Sequence, residues 1–447
     1  MSSSHRIPFV LILFVSILAA SLVGLTADAR AAASGARIWA KVVTPVATAN
    51  DDQVLSVAPG PGGSIYACGV YDYPLFSGYL WVARYSPGGR REWLHKYGES
   101  LGIDANASAI AVDGQGDLIV AGEAVVAGNR NALTLKYSPE GTLLWAKQFD
   151  GAVSGVDTAT AVAVDSAGGI YVAGATTDIG TGLDYLVVKY DQTGHRKWVA
   201  SYSGPSGDDA AAAITVGAAG SVYVTGVSPS AGGDADCVTA KLSASGSWRW
   251  FRRYGSPGGF ADSARKVAVG AGGVYVDGVE GSAAGDELLL LKYATGGARE
   301  WTRTWDGAMN LPVSIAGLAV DASGHAWVAG QSKGRAVLVK WDAAGHRRWV
   351  KIYWASSGSE FADVVVDDSG QAWCAGERIN GAVNYDFLVV KYSRGGRQLW
   401  LRTWDGSAGG NDGASCLCLS GSGGLYVGGW TASPATHLDP ALLKYQR

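Results

Sequence analysis

The chain has 447 residues, 48% of them hydrophobic, enough to bury a large core, and its 64 glycines against 13 prolines exclude a collagen or a proline-rich linker. A formal net charge of -3 leaves no polybasic footprint, so neither nucleic acid nor an acidic membrane surface is an expected partner. The five cysteines, Cys68, Cys237, Cys374, Cys416 and Cys418, fall in apolar strand-like runs and not at framework spacing, which reads as buried free thiols.

At the start of the chain, His5 and Arg6 precede an apolar run from Ile7 to Leu25, and Ala27-Asp28-Ala29 places small residues where a signal peptidase requires them. Residues 1–29 are expected to be a secretory signal, with an uncleaved anchor helix as the alternative. Residues 30–447 then form one domain, secreted or at the cell surface, with no membrane span left after cleavage and a monomer expected.

A lone strand signal, ARIWAK with Trp39, opens the mature chain. From there one unit recurs eight times: IYACG ending at Gly69, LIVAG at Gly122, IYVAG at Gly174, VYVTG at Gly226, VYVDG at Gly278, AWVAG at Gly330, AWCAG at Gly376 and LYVGG at Gly429. The steps are 53, 52, 52, 52, 52, 46 and 53 residues, so the period is about 52. The pentapeptide RTWDG at Arg303–Gly307 and again at Arg402–Gly406 is the same point in units five and seven.

Each unit carries four short strand signals. In unit three they are TATAVAV, GIYVAGA, DYLVVKY and RKWVASY, with tight turns DSAGG and DQTGH between the first and second pairs. A lone four-stranded sheet leaves both apolar faces wet, so copies must stack on one another. The predicted fold is all-β, an eight-bladed β-propeller of four-stranded antiparallel blades. The eighth unit stops at Arg447 without its fourth strand, and the segment around Trp39 is expected to supply it, closing the ring and covering two sheet edges.

Trp39, Trp93, Trp145, Trp198, Trp250, Trp301, Trp349 and Trp400 occupy one repeated position and read as structural docking residues between blades. Trp81, Trp248, Trp354 and Trp430 fall outside that series and are the surface candidates. One base also recurs: Arg84, Lys136, Lys189, Lys241, Lys292, Lys340, Lys391 and Lys444. An acid recurs at the start of the first strand in five units, including Asp157, Asp209 and Asp262. The pairs Lys189 with Asp157, Lys241 with Asp209 and Lys292 with Asp262 are candidate blade latches, the rival being a ring of cations that binds an anion.

The turn-and-tryptophan spacing in KYDQTGHRKW and KWDAAGHRRW is similar to the docking motif of pyrroloquinoline-quinone-type propellers. The whole unit, AVAVDSAGGIYVAG followed by LDYLVVKYDQTGHRKW, resembles the bacterial β-propeller repeat (SBBP-type) family over roughly residues 38 to 447, and that resemblance implies an exported or surface protein. Quinoprotein dehydrogenases of similar shape carry adjacent cysteines and a calcium-binding acidic set, and no Cys-Cys pair occurs in this chain. No cofactor is predicted.

His195 and His346 share one turn position and His325 lies in another; none accompanies a nucleophile-elbow sequence, so no catalytic residue is assigned. No loop shows the ligand density of a dedicated metal site, so none is assigned either. The longer, variable connections lie between the second and third strands and between units, and both emerge on one face. Tyr71, Tyr73, Phe76, Asp150, Asp208, Asp306 and Asp405 are the candidate ligand face. The functional expectation is a non-catalytic binding or scaffold module for protein or polysaccharide at the cell surface. The alternative is a lyase or hydrolase with a site in the central cavity.

Overall fold

A computed structural model describes residues 35–43, 51–73, 78–307, 313–354, 358–381, 384–421, 423–432 and 437–447, so the 1–29 segment and Phe76 lie outside the described residues. Eight four-stranded antiparallel sheets follow one another along the chain. Blades one to seven span 51–97, 105–149, 158–202, 210–254, 263–305, 313–352 and 359–404. Blade eight is made of 412–446 together with Arg37–Val42, which pairs antiparallel with Leu438–Gln446 in the register Trp39↔Lys444, Ala40↔Leu443 and Lys41↔Leu442. The seam is thus sewn by the N-terminal strand, and no blade is left with three strands.

The first strands of neighbouring blades pack on one another all the way round, which places them at the axis. Each first strand carries a bulge at one shared position, as at Thr160 between Ala159 and Ala161, and Ser415 between Ala414 and Cys416, and that of blade one has a second irregularity between Asp51 and Gln53. The bulge turns a side chain toward the next blade: Thr160 Oγ1 donates to Ala211 O at 2.7 Å, and Ser415 Oγ donates to Val54 O at 2.8 Å across the seam. It also brings the first strand onto the second so closely that a Cβ on the glycine ending IYVAG would clash with the Thr158 carbonyl oxygen. The glycine common to all eight units is a consequence of this approach.

Between blades lie dry clusters such as Tyr171, Tyr185 and Val187 against Val222, Val224 and Val238. The tight turns are stabilised by their own aspartates: Asp165 accepts from the N–H of Ala167 at 2.9 Å and of Gly169 at 2.7 Å, while Gly168 adopts φ +80°.

Two outcomes test this packing. Gly174→Ala forces the Thr158 backbone away and is expected to lower stability by about 1–3 kcal/mol, as overpacking does, read from the denaturant midpoint. Deletion of Arg37–Val42 leaves the Leu438–Gln446 edge unpaired and is expected to give concentration-dependent association, read by light scattering.

Candidate functional site

The two ends of each blade carry different chemistry. At the tight-turn end, the indole N–H of one blade donates to a turn carbonyl of the next: Trp39 to Pro87 (3.0 Å), Trp93 to Pro139 (2.9 Å), Trp145 to Gln192 (3.0 Å), Trp198 to Ala244 (3.1 Å), Trp250 to Thr295 (3.2 Å), Trp301 to Ala343 (3.3 Å) and Trp349 to Arg394 (3.4 Å). The following turn glycine has no room for a Cβ because the indole lies on it, as Trp145 lies on Gly194. Trp400 meets Gly35 in the same way, and Arg402 Nε donates to Gly35 O at 3.1 Å, as Arg303 Nε donates to Gly345 O at 2.6 Å. The duplicated RTWDG is therefore one docking contact made twice.

The same turn carbonyls accept a second donor, the recurrent base. Lys189 Nζ reaches Ala244 O at 3.3 Å, Lys241 Nζ reaches Thr295 O at 3.1 Å, Lys292 Nζ reaches Ala343 O at 3.1 Å and Lys444 Nζ reaches Pro87 O at 2.8 Å across the seam. The ammonium groups also lie over the second-strand aromatic of their own blade: Lys189 is 4.6 Å from the Tyr171 ring centre and Lys340 is 4.2 Å from that of Trp327. Burial draws the Lys340 pKa down to about 8, with Asp321 opposing it.

The pairs Lys189–Asp157, Lys241–Asp209 and Lys292–Asp262 do not meet. Register explains it: Thr176 lies opposite Asp184, beside the start of the first strand, whereas Lys189 lies five residues further along and opposite Tyr171. At about 3.3 Å per residue the two rows sit roughly 17 Å apart, at opposite ends of the blade. The carboxylates that do approach the bases come from the same blade, either from its tight turn, with Asp113 and Asp117 at 2.9 and 3.0 Å from Lys136 and Asp165 at 4.0 Å from Lys189, or from its fourth strand, with Glu92 at 3.1 Å from Arg84 and Glu300 at 3.0 Å from Lys292.

The first-strand acids instead staple the connections at the loop end. Asp157 accepts from Gly151 N at 2.8 Å and Thr176 Oγ1 at 2.5 Å, Asp209 from Gly204 N at 2.5 Å, and Asp262 from Ser256 N at 2.5 Å and Gly281 N at 2.9 Å. Asp412 does the same with Gly406 N at 2.8 Å and with Thr431 Oγ1. A second acidic row escaped the sequence reading although it was legible five residues before four of the eight bases: Asp184, Asp236, Asp386 and Asp439. It faces the first row of the following blade, so that Asp386, Asp405 and Asp412 bring carboxylate oxygens within 4.8 Å of one another.

Of the expected ligand face, Asp150, Asp208, Asp306 and Asp405 are exposed. Asp150 accepts from Asn129 Nδ2 at 3.0 Å and Asp208 from Leu183 N at 2.9 Å. Tyr71 and Tyr73 lie at the end of the Ile65–Tyr73 strand. Trp81 is fully buried, its indole donating to Val70 O at 3.2 Å, so it is not a surface residue. Trp354 is 61% exposed beneath the Arg335 guanidinium, 3.7 Å from the ring centre. Leu101, Val156, Ile179 and Phe260 are likewise exposed, and all five lie on connections that emerge at the loop end.

Two clefts mark the two ends. One of about 680 Å³ at the loop end lies between blades two and three, lined by Asp104, Val125, Asn129, Arg130, Gly155 and Val156. One of about 750 Å³ at the tight-turn end is lined by Asp165, Lys189, Asp191, Lys197 and Trp198, where the docking contacts already occupy the base and the indole.

Around the axis, Lys266 of blade five and Asp363 of blade seven occupy the same position just after the first-strand bulge. Asp363 Oδ2 accepts from Leu417 N of blade eight at 3.2 Å. Asp277 replaces the Ala, Thr, Cys or Gly of the other blades beside the repeated glycine; its Oδ1 accepts from Lys266 N at 2.8 Å and its Oδ2 has no hydrogen-bond partner. Burial pushes its pKa up to about 7 against the pull of Lys266. Glu377, opposite Glu360, is pushed up to about 7 by burial and then by its neighbour's charge. No sequence pattern flagged these residues, because they break the repeat. The three turn histidines serve their own turns: His195 against Thr193 (2.7 Å), His325 against Asp321 (3.0 Å) and His346 against Asp342 (3.3 Å). Four thiols are buried and Cys418 half-buried, none of them bridged.

Neither a protein-family model nor a curated protein matches the sequence. Among solved structures, dihydro-heme d1 dehydrogenase NirN is 13% identical with a TM-score of 0.45 over 81% of this chain and 75% of that one. Prolyl oligopeptidase B from Galerina marginata is 8% identical, TM-score 0.46, over 88% of this chain and 55% of that one. A protein from Lactobacillus plantarum is 12% identical, TM-score 0.43, over 69% and 89%. These likenesses bring no chemistry to this chain.

Asp277 and Glu377 set a pH dependence. Between an ordinary carboxylate value near 4 and about 7, the folded protein holds protons on Asp277 and Glu377 that the unfolded chain releases, so stability falls as pH rises through that window. Asp277→Asn is expected to flatten its share of the slope, read by chemical denaturation at pH 4.5 and 7.5.

Proposed function

We propose that the protein is a non-catalytic propeller that presents its loop end to a protein or polysaccharide outside the cell. Export rests on the charged, apolar and small-residue pattern of residues 1–29, and the resemblance to bacterial β-propeller repeats points the same way. The observation that carries the binding reading is the placement of Leu101, Val156, Ile179, Phe260 and Trp354. Five large apolar side chains are left in solvent on the connections around one end of the ring, whereas the other exposed ones, Ile38, Val42, Leu143, Leu144 and Val199, lie along the fourth strands of blades eight, two and three. Acids at the same end, Asp150, Asp208, Asp306 and Asp405, supply polar partners around them.

A second reading, a lyase or hydrolase acting in the central channel, draws on Arg265, Lys266, Asp277 and Asp363, which come from two blades and influence one another electrostatically. Among the described residues these groups form no hydrogen-bonded base and nucleophile pair of the kind that supports covalent catalysis.

Retention of the purified protein on an array of glycans and cell-envelope fractions separates the two. The combined substitutions Val156→Ser, Ile179→Ser, Phe260→Ser and Trp354→Ala are expected to abolish retention while shifting the melting temperature little, since exposed positions usually contribute within about 0.5 kcal/mol each. Turnover of a small substrate that survives those changes and is lost in Asp363→Asn would favour the enzyme.

A further inference from the structure

The seam between blades three and four gathers acids without a matching base. Asp184, at the start of the third strand of blade three, is 3% exposed, and Asp209, opening blade four, is fully buried. Asp184 Oδ2 accepts from Thr181 Oγ1 at 3.2 Å and the Ser203 hydroxyl lies beside it. Asp209 Oδ2 is held by Gly204 N. The remaining oxygen of each, Oδ1, is buried with no hydrogen-bond partner. Asp178 adds its charge to that of Asp209 at Asp184, and the exposed Asp208 borders the same seam through Leu183 N.

Among the described residues neither Asp184 nor Asp209 makes an ion pair. Arg253 of blade four reaches this seam against Tyr202 of blade three, and its guanidinium is committed to Asp236 at 3.0 Å and to Ser228. Asp209 N donates to Leu183 O at 2.6 Å, which sets the two residues side by side, and two buried carboxylates so placed, each with an unpartnered oxygen, are strongly unfavourable unless one takes up a proton or a cation joins them.

Equivalent seams show how that charge is met elsewhere. Between blades four and five, the acid corresponding to Asp184 is Asp236, and Arg253 neutralises it. Between blades seven and eight, Asp386 is covered by Arg378 at 3.1 Å and Asn380 at 2.7 Å, and Asp412 has its hydrogen bonds filled by Gly406, Thr431 and Ala432. The corresponding seam of blades three and four has the acids, and among the described residues no guanidinium or ammonium pairs with Asp184 or Asp209.

We propose that this seam binds a hard divalent cation, calcium by the chemistry of its donors, with Asp184 and Asp209 as the charged ligands. All the available donors are oxygens: two carboxylates, the Ser203 hydroxyl, neighbouring carbonyls and water, a set that suits a six- to eight-coordinate ion in an irregular site. The ion would tie the connection entering blade four to the end of blade three, on the face where the exposed apolar residues lie.

The test uses the purified protein stripped with EDTA and dialysed against Ca²⁺. One ion per chain is expected, with a melting temperature that rises with Ca²⁺ concentration. Asp184→Asn should weaken binding at least tenfold, and in EDTA it should melt above the parent because a like-charge repulsion has been removed. Asp386→Asn, at the seam already neutralised, should leave binding unchanged. No retained calcium, or retention that persists in both Asp184→Asn and Asp209→Asn, overturns the assignment. So does retention lost in Asp386→Asn alone. Should Asp209→Asn fail to fold, the Asp184→Asn result decides by itself.

Discussion

The structure depends on one contact repeated around the ring: a turn carbonyl that receives both an indole N–H and a cationic side chain from the preceding blade, with a glycine pressed against the indole face. Net, each such hydrogen bond contributes about 1 kcal/mol, and more where the donor is charged. Its importance is geometric. The donors sit on the third and fourth strands, the acceptor on the turn joining the third and fourth strands of the next blade, so the contact fixes the angle between successive sheets while the apolar clusters fill the space behind it. Pro87 O closes the circle by taking Trp39 from the N-terminal strand and Lys444 from the C-terminal one.

That contact uses up the chemistry of the tight-turn end. A ring of eight bases resembles an anion site on paper, yet the ammonium groups lie over aromatic rings and donate to carbonyls of the next blade. The loop end is organised by acids accepting backbone N–H bonds, which anchor the connections without dictating their sequences. Connections held at their roots and free in between can vary, and there the apolar side chains stand in solvent.

The blades are alike in architecture and unlike in charge. Asp277, Lys266, Asp363, Glu360 and Glu377 belong to blades five and seven alone, and the axis is consequently polar on one side and lined by alanine at Ala109, Ala161 and Ala213 on the other. The same asymmetry appears at the seams, where an arginine answers the acids at one interface and none does at another.

The sequence by itself determined the architecture. A period of about 52 residues with four strand signals, an unpaired strand at Trp39 and a missing one after Tyr445 leave one way to bury every sheet, because a repeat that packs only on its copies must close or expose its edges. The docking tryptophans were legible for the same reason, since they recur at one position in all eight units. Pairing was another matter. Asp157 and Lys189 recur with the same period and still lie at opposite ends of the blade, because periodicity states that two residues belong to the same unit and says nothing of how far apart the strands carry them. Tertiary structure alone decided that Asp209 bonds to the backbone beside Asp184, that Trp81 is inside and Trp354 outside, and that Asp277 is buried beside a lysine. Each of these depends on what the neighbouring blade places across the seam, and that neighbour lies about fifty residues away in the chain.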